Sequence, residues 1–345
     1  MTSSQSQRRR APTIFDVAAE AGVSKSTVSN VLQGKVPVLA VTRQRVLDAM
    51  DQLGYEPNAG ARYMRQRSRI LGVVVGDLQN PFYAELAAEI EESAAKRNHT
   101  ILLATTGDVP EREVERVRTL VQHRVAAMIF LCIPGKAALR AVGGDVPSLF
   151  AAVPMRDELS IAVDSRAAAE LAVSHLVELG HTAIGFVSVT LHEPPTETVR
   201  FDGYRRAIQQ AGLKVGASRV LRADGRGPHL SAYQAELKAF LSRKRRPTAI
   251  VAATDFDALE VISAADALGM RVPSDLSVVG FDNISLAGHS RISLTTISQP
   301  LAEIAKLAVD AAIDGTPHKR RRAARSIKLR PELIVRASTG PVRLG

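Results

Sequence analysis

Along most of the chain, apolar runs of strand length alternate with stretches of helical period. The runs are ILGVVVGD (70–77), TILLATT (100–106), AAMIFLCIP (126–134), SLFAAV (148–153), SIAVD (160–164), TAIGFVSV (182–189), AIVAATD (249–255) and SVVGFDN (277–283). Between them lie amphipathic stretches that predict helices over 82–97, 111–123, 166–179, 229–243 and 256–268. Strands that are apolar throughout, rather than alternating, belong to parallel sheets covered on both faces. Strand–helix alternation then predicts doubly wound α/β layers. There are too many strands for one compact sheet, so two lobes are expected. No short internal repeat is present.

Residues 13–57 have a different texture, with three short helices and no strand signal. In TIFDVAAEAGVSKSTVSNVLQGK (13–35), Thr13 can cap a helix running to about Ala21, and Gly22 supplies a positive-φ turn. Val23 is an apolar plug, and Ser24 caps a second helix from Lys25 to Leu32. Val17, Ala18, Ala21, Val23, Val28, Val31 and Leu32 fall on faces that can meet. That leaves Lys25, Ser26, Ser29 and Asn30 outward, and short polar and basic groups near a helix amino end suit base edges in a major groove. A third helix over about 40–53 ends at Gly54.

Charge sharpens this picture. The 345 residues carry a net +10, and residues 1–70 hold eleven Lys/Arg against five Asp/Glu, while the other 275 hold 34 against 30. A basic excess confined to one small segment points to a polyanion partner. A solvated basic tail would give the same count. Cys132 is the only cysteine, which excludes an internal disulfide or a cysteine-built zinc site and suits a cytoplasmic location. No apolar run approaches a membrane span, and MTSSQSQRRRAP has no apolar stretch behind its arginines, so neither membrane insertion nor secretion is expected.

The 13–35 segment resembles the headpiece of the lactose-repressor/galactose-repressor (LacI/GalR) family. The resemblance continues through GYEPNAGARYM (54–64), ILGVVVGDLQNPFYAEL (70–86), HRVAAMIFL (123–131), HLVELGHTAIGFV (175–187), RFDGYRRAI (200–208), RRPTAIVAATD (245–255), RVPSDLSVVGFDNI (271–284), LTTISQP (294–300) and LIVRAST (333–339). It implies an α plus α/β chain. An all-α helix-turn-helix headpiece is joined by a hinge helix to a two-lobed, doubly wound parallel-sheet core of periplasmic-binding-protein type. The expected segments are a basic tail (1–12), the headpiece (13–57), a hinge helix and linker (58–69, the helix over 58–65) and the core (70–340). Lobe 1 is expected over about 70–161 and 293–325, and lobe 2 over about 162–292 and 326–340. The implied function is a sequence-specific regulator, most simply a repressor. It would be a homodimer on near-palindromic double-stranded operator DNA, controlled by a sugar or related metabolite between the lobes, with no cofactor, metal or membrane partner. A corepressor-dependent regulator with a non-sugar ligand is the alternative.

Position by position, the resemblance places Lys25, Ser26 and Asn30 at base-reading positions. Thr13, Ser24, Thr27, Ser29, Gln33, Thr42, Tyr55, Asn58 and Ala61 match the remaining DNA-contact positions, most of them against phosphates. Met64 stands where the family usually has a leucine that wedges into the minor groove, and a flexible apolar methionine can insert similarly; packing against the lobe below is the bland alternative. Asn30 replaces the family's usual arginine, which favours adenine over guanine. Leu39 replaces the usual Ser cap of the third helix, a loss of about 1 kcal/mol.

For the effector, the matching positions are Asp77, Asn80, Phe82 and Tyr83 in the first lobe and Thr196, Arg200, Asp255 and Asp282 in the second. A guanidinium and carboxylates facing a closing cleft suit hydroxyl-rich ligands. Turn-forming roles for Asp77 and Asp282 and a surface ion pair for Arg200 are the plain alternatives, and Asp164 reads as a helix cap. Ala152 and Val153 replace the family's common polar pair, and the loop ADGRGPHLSAY (223–233) lacks its usual stacking aromatic, although Arg226 and His229 could meet an anion. The basic run KRRRAAR (319–325) falls where the chain is expected to recross between lobes. A transport receptor would need a secretion signal and no headpiece. An enzyme would need a nucleophile, a base and an oxyanion site together, and no such set is legible.

Overall fold

The computed structural model describes residues 13–33, 38–53, 68–107, 109–143, 146–155, 158–190, 195–214, 216, 219–224, 230–314 and 326–342. The expected tail (1–12), hinge helix (58–65) and basic run (319–325), with Tyr55, Asn58, Ala61, Met64, Arg226 and His229, lie outside them. The chain divides into two compact units, Met1–Ser68 and Arg69–Gly345.

The first unit contains α1 (Ile14–Glu20), α2 (Lys25–Gln33) and α3 (Ala40–Leu53). Apolar spacing of three and four residues sends Val17, Ala18 and Ala21 of the first turn region, Val28 and Val31 of α2, and Val46 and Ala49 of α3 into one cluster. Val17, Val28 and Val46 are fully buried, one from each helix, and each contributes about 1.5–3 kcal/mol. Gly22 holds φ +61° in the α1–α2 turn, where a side chain would be strained. At the start of α1 the Asp16 carboxylate accepts from both the Thr13 amide and hydroxyl, each at 2.6 Å. Helix α3 starts on the Leu39 carbonyl, which accepts from Arg43 N, and the leucine side chain offers its first amides no acceptor.

The second unit holds two six-stranded sheets. The first has β1 (Ile70–Val75), β2 (Thr100–Thr105), β3 (Ala127–Phe130), β4 (Ser148–Ala151), β5 (Ser160–Val163) and β11 (Ile327–Leu329), in the order β11-β5-β4-β3-β1-β2, every pair parallel. The second has β6 (Ile184–Thr190), β7 (Val220–Asp224), β8 (Ala249–Ala252), β9 (Ser277–Asp282), β10 (Thr295–Ser298) and β12 (Glu332–Ile334), in the order β12-β10-β9-β8-β6-β7. Only β12 runs antiparallel, at an edge. The intervening helices are α4 (Pro81–Lys96), α5 (Pro110–Gln122), α6 (Lys136–Val142), α7 (Ser165–Glu178), α8 (Pro195–Gln210), α9 (Leu230–Leu241), α10 (Asp255–Ala267) and α11 (Leu301–Asp314). Strands β1, β3 and β8, apolar throughout, are buried almost end to end, and so is β9, whose polar ends Ser277 and Asp282 are buried with it.

The lobe boundaries depart from the expected ones in two places. Thr295–Ser298, expected in lobe 1, pairs with β9 in lobe 2, with Thr295 opposite Val279 and Ser298 opposite Asp282. Ile327–Leu329, expected in lobe 2, pairs with β5 in lobe 1. These strands have three or four residues, too few for a hydrophobic run to mark, and the hydrogen-bond ladder alone decides their sheet. The chain therefore passes between lobes at Asp164, at Gln299–Pro300 and at Arg330–Pro331. Helix α11 and strand β11 both belong to lobe 1, which corrects the crossing expected between them; residues 319–325 themselves lie outside the described residues.

Candidate functional site

In the first unit the residues expected to face DNA lie at the amino end of α2. Ser24 caps the helix, its Oγ accepting from Thr27 N at 3.1 Å, and sits 2.7 Å from Ser26 Oγ and 2.9 Å from Thr27 Oγ1. The amides at the helix start that the Ser24 cap does not take up, together with the clustered hydroxyls, form a donor-rich surface suited to phosphate. Lys25 and Ser26 are exposed, and Ser29, Asn30 and Thr42 are half-exposed, while the opposite face of α2 carries Val28 and Val31 into the core. The aliphatic seam thus fixes which side chains remain outside. Thr13 sits at the start of α1, and Gln33 is the last residue of α2.

In the second unit the expected groups gather at the carboxyl ends of the strands, where open α/β sheets bind ligands. In lobe 1, Asp77 accepts from Gln79 N at 2.9 Å, and Asn80 caps α4 by accepting from Phe82 N at 3.1 Å. Both therefore shape the β1–α4 turn. Phe82 is buried in the lobe core, and Tyr83 is half-buried with its ring edge-on to Phe82 at 5.4 Å. Beside this turn lies an open recess of about 400 Å³ that also meets Arg112 and Arg116 of α5.

Lobe 2 holds the tighter constellation. Arg200, on α8, is nearly buried and lies flat on Phe281, its guanidinium carbon 3.6 Å from the ring centroid. Its Nη1 donates to the Ala253 carbonyl at 2.6 Å, and its Nη2 pairs with Asp282 Oδ1 at 3.6 Å. That same oxygen accepts from Gln299 Nε2 at 2.8 Å. Two buried atoms here, Arg200 Nε and Gln299 Oε1, have no hydrogen-bond partner among the described residues. One is a donor and the other an acceptor, and leaving such groups unmade in the interior is costly. Thr196 takes the second position of α8.

Asp282 is held in an unusual backbone, with φ +129°, followed by Asn283 at φ +56°. Strain of this kind persists only where the surroundings over-determine it. Asp255 supplies that determination from below. Its Oδ2 accepts from Ile284 N at 2.9 Å and its Oδ1 from the Thr296 hydroxyl at 2.5 Å. Asp255 is fully buried and through these two bonds braces the loop that carries Asp282. Burial pushes the Asp255 carboxyl up to about 6, against the pull of the Thr296 hydroxyl and the Ile284 and Asn283 amides. Burial pushes Asp282 further, to about 8, opposed by Arg200 and reinforced by Asp255 and Asp257. Gly280 completes the arrangement, because a Cβ there would collide with the Asp255 carboxylate.

Nothing in the sequence pattern singles out Gln299, Phe281, Thr296 or Gly280, although Gln299 and Thr296 lie within the LTTISQP motif. Gln299 stands at the second crossing between lobes, so Asp282 is wired to the hinge. The lobes also touch directly, where Ser285 N and Oγ donate to Glu85 of α4 at 2.9 and 2.6 Å. Asp164 caps α7, accepting from Arg166 N and Ala167 N, as its sequence context suggested.

A three-helix unit with a polar recognition helix, followed by a two-lobed core with a buried polar cluster at its strand ends, defines a DNA-binding regulator with a ligand-binding core. Residues 13–58 match the family described as bacterial regulatory proteins, lacI family, and residues 173–339 match the periplasmic binding protein-like domain. Catabolite control protein A of Priestia megaterium is 34% identical over 327 residues, covering 89% of this chain and 97% of that protein. Among solved structures, the lac repressor dimer bound to operator and the anti-inducer ONPF has a TM-score of 0.79 at 27% identity, covering 96% of this chain and 100% of that one. The transcriptional regulator CelR in complex with cellobiose has a TM-score of 0.66 at 27% identity, covering 95% and 99%. The chain belongs to the LacI family of DNA-binding transcriptional regulators. Its curated relatives are regulators, a non-enzyme class, and among the described residues no helix is long and apolar enough to cross a membrane.

Proposed function

We propose that this protein is a homodimeric repressor of near-palindromic operators, released or tightened by a small hydroxyl-rich molecule bound between the core lobes. The lac repressor dimer on operator and the cellobiose-bound CelR support this reading as relatives of the same fold. Lys25, Ser26 and Asn30 would read base edges, while Ser24, Thr27, Ser29, Gln33 and Thr42 would hold phosphates, with Thr13, Tyr55, Asn58, Ala61 and Met64 completing the contact set.

The observation that carries the effector half is the pair of unpartnered atoms beside Asp282. One ligand hydroxyl can accept from Arg200 Nε and donate to Gln299 Oε1, meeting both needs with one group. Asp77, Asn80, Phe82 and Tyr83 would contribute to the site from the first lobe, and Thr196 and Asp255 with Arg200 and Asp282 from the second, as the family resemblance implies. Because Gln299 is also a crossing residue, a ligand that re-seats it biases the lobe arrangement. The test is a thermal-shift screen of the full chain with sugars, sugar phosphates, nucleobases and organic acids. A ligand at a hundred times its Kd should add about 2.7 kcal/mol of stability. The reading expects a hydroxyl-rich hit whose shift disappears in Gln299→Leu and Asp282→Asn. A hit whose shift survives both variants would refute this site.

A further inference from the structure

Two arginines of α5 line the open recess beside the β1–α4 turn, in a placement that is unfavourable without an anion. The recess holds about 400 Å³ at the carboxyl ends of β1 and β2, a volume that suits a small ligand. Arg112 and Arg116 stand four residues apart on α5, so they share one face of the helix, where like charges repel. Arg112 also falls in the first turn, where the helix dipole disfavours a cation. Among the described residues Arg112 joins no ion pair, and Arg116 reaches only Glu115, its neighbour in sequence, at 3.7 Å. Of the first-turn carboxylates, Glu113 turns to the far side of the helix and accepts from Gly135 N at 2.9 Å, and Glu111 is exposed and does not line the recess. The Arg112 guanidinium instead folds back over the β2–α5 turn, where a Cβ on Gly107 would stand 3.3 Å from its Nη1.

We propose that this recess is an anion subsite of the effector cleft, in which Arg112 and Arg116 hold a phosphate or carboxylate group carried by the hydroxyl-rich effector. The proposal rests on the ligand-binding reading of the lobes above, and it narrows the ligand to an acidic sugar derivative. An anion between the two guanidiniums removes their repulsion and meets the dipole of α5 at its favourable end. Guanidinium forks match the paired oxygens of phosphate and carboxylate, and the Thr105 hydroxyl adds a donor at the end of β2. Asp77 is the one carboxylate in the lining, so two positive groups outweigh one negative. Its Oδ1 accepts from Gln79 N at 2.9 Å, and an ionised carboxylate accepts hydroxyls but repels anions. The lining therefore orients the ligand, with its charged end towards α5 and its hydroxyls towards the β1–α4 turn.

The test uses the full chain, with the wild type beside Gln299→Leu and a double variant, Arg112→Gln with Arg116→Gln. Thermal shifts are measured with inorganic phosphate at constant ionic strength, then with glucose and galactose, each beside its phosphate ester and its uronic acid. Phosphate should stabilise the wild type saturably, and the double variant should lose that response while Gln299→Leu keeps it. Any sugar that binds should bind at least about tenfold more tightly in a charged form than in its neutral form. The double variant should bring that ratio to about one, and Gln299→Leu should weaken both forms alike. The larger of the two charged-form ratios distinguishes a phosphate from a carboxylate effector. A phosphate response absent from the wild type, or unchanged in the double variant, overturns the proposal. So does a sugar bound equally in neutral and charged forms, which leaves the reading of the lobes intact. A sugar whose affinity ignores Gln299→Leu overturns the hydroxyl site beside Asp282 instead.

Discussion

Replacing Thr296 with valine tests the brace beneath the effector cluster. The substitution keeps the shape of the side chain and removes one hydroxyl, which donates to Asp255 Oδ1 at 2.5 Å between two fully buried residues. A hydrogen bond to an ionised acceptor contributes about 1.5–3 kcal/mol, and one between neutral groups about 0.5–1.5 kcal/mol. Which applies depends on pH, because burial raises the Asp255 carboxyl to about 6. With its pKa raised above the unfolded value, Asp255 takes up a proton more readily in the fold. Its contribution to stability is fully present below the ordinary carboxylate range and is lost as pH rises through about 6. The Thr296 hydroxyl favours the ionised form, so its removal should cost more at pH 8 than at pH 5. For a core of this size, about 2–3 kcal/mol at pH 8 corresponds to a Tm loss of about 4–12 °C. The chain has no tryptophan, so the melt is followed by far-UV circular dichroism or calorimetry. An equal loss at the two pH values would refute the argument, as would a larger loss at pH 5. In an Asp255→Asn background the pH dependence of the Thr296→Val cost should disappear.

Three further outcomes follow from the same geometry. Gly280→Ala forces a methyl into the Asp255 carboxylate and to 2.9 Å from Leu294, so it should destabilise the core by about 1–3 kcal/mol in urea unfolding; a neutral result would mean that the β9 end can shift. Duplex binding should weaken steeply with salt, because several phosphate contacts release counterions, and a flat log–log plot in a binding titration would contradict a DNA partner. Asn30→Arg should move the preference at its base pair from A·T towards G·C by about 1–3 kcal/mol, with the other positions unchanged in a selection experiment.

Much of this protein is written in the period of its apolar residues. Val17, Val28 and Val46 are spaced to bury one face of each headpiece helix, and that alone leaves Lys25, Ser26 and Asn30 outside. The continuous runs at 70–77, 249–255 and 277–283 announce buried parallel strands, because a strand covered on both faces has no polar side to alternate with. Local chemistry was equally legible at Gly22, Ser24 and Asp164, whose turn and caps need only neighbours in sequence. The tertiary structure decided what depends on partners far along the chain. Thr295–Ser298 and Ile327–Leu329 exchange lobes relative to expectation, since strands this short take their sheet from the ladder they join. Asp255 and Asp282 both stand at positions the family resemblance marks for the effector, and folding gives the two carboxylates different partners. Thr296 and Ile284, which lie 41 and 29 residues from Asp255, close around its carboxylate, while Arg200 and Gln299 meet that of Asp282. Gln299 becomes important only because β10 ends beside β9 and sets its amide on Asp282, a juxtaposition that no spacing along the chain encodes.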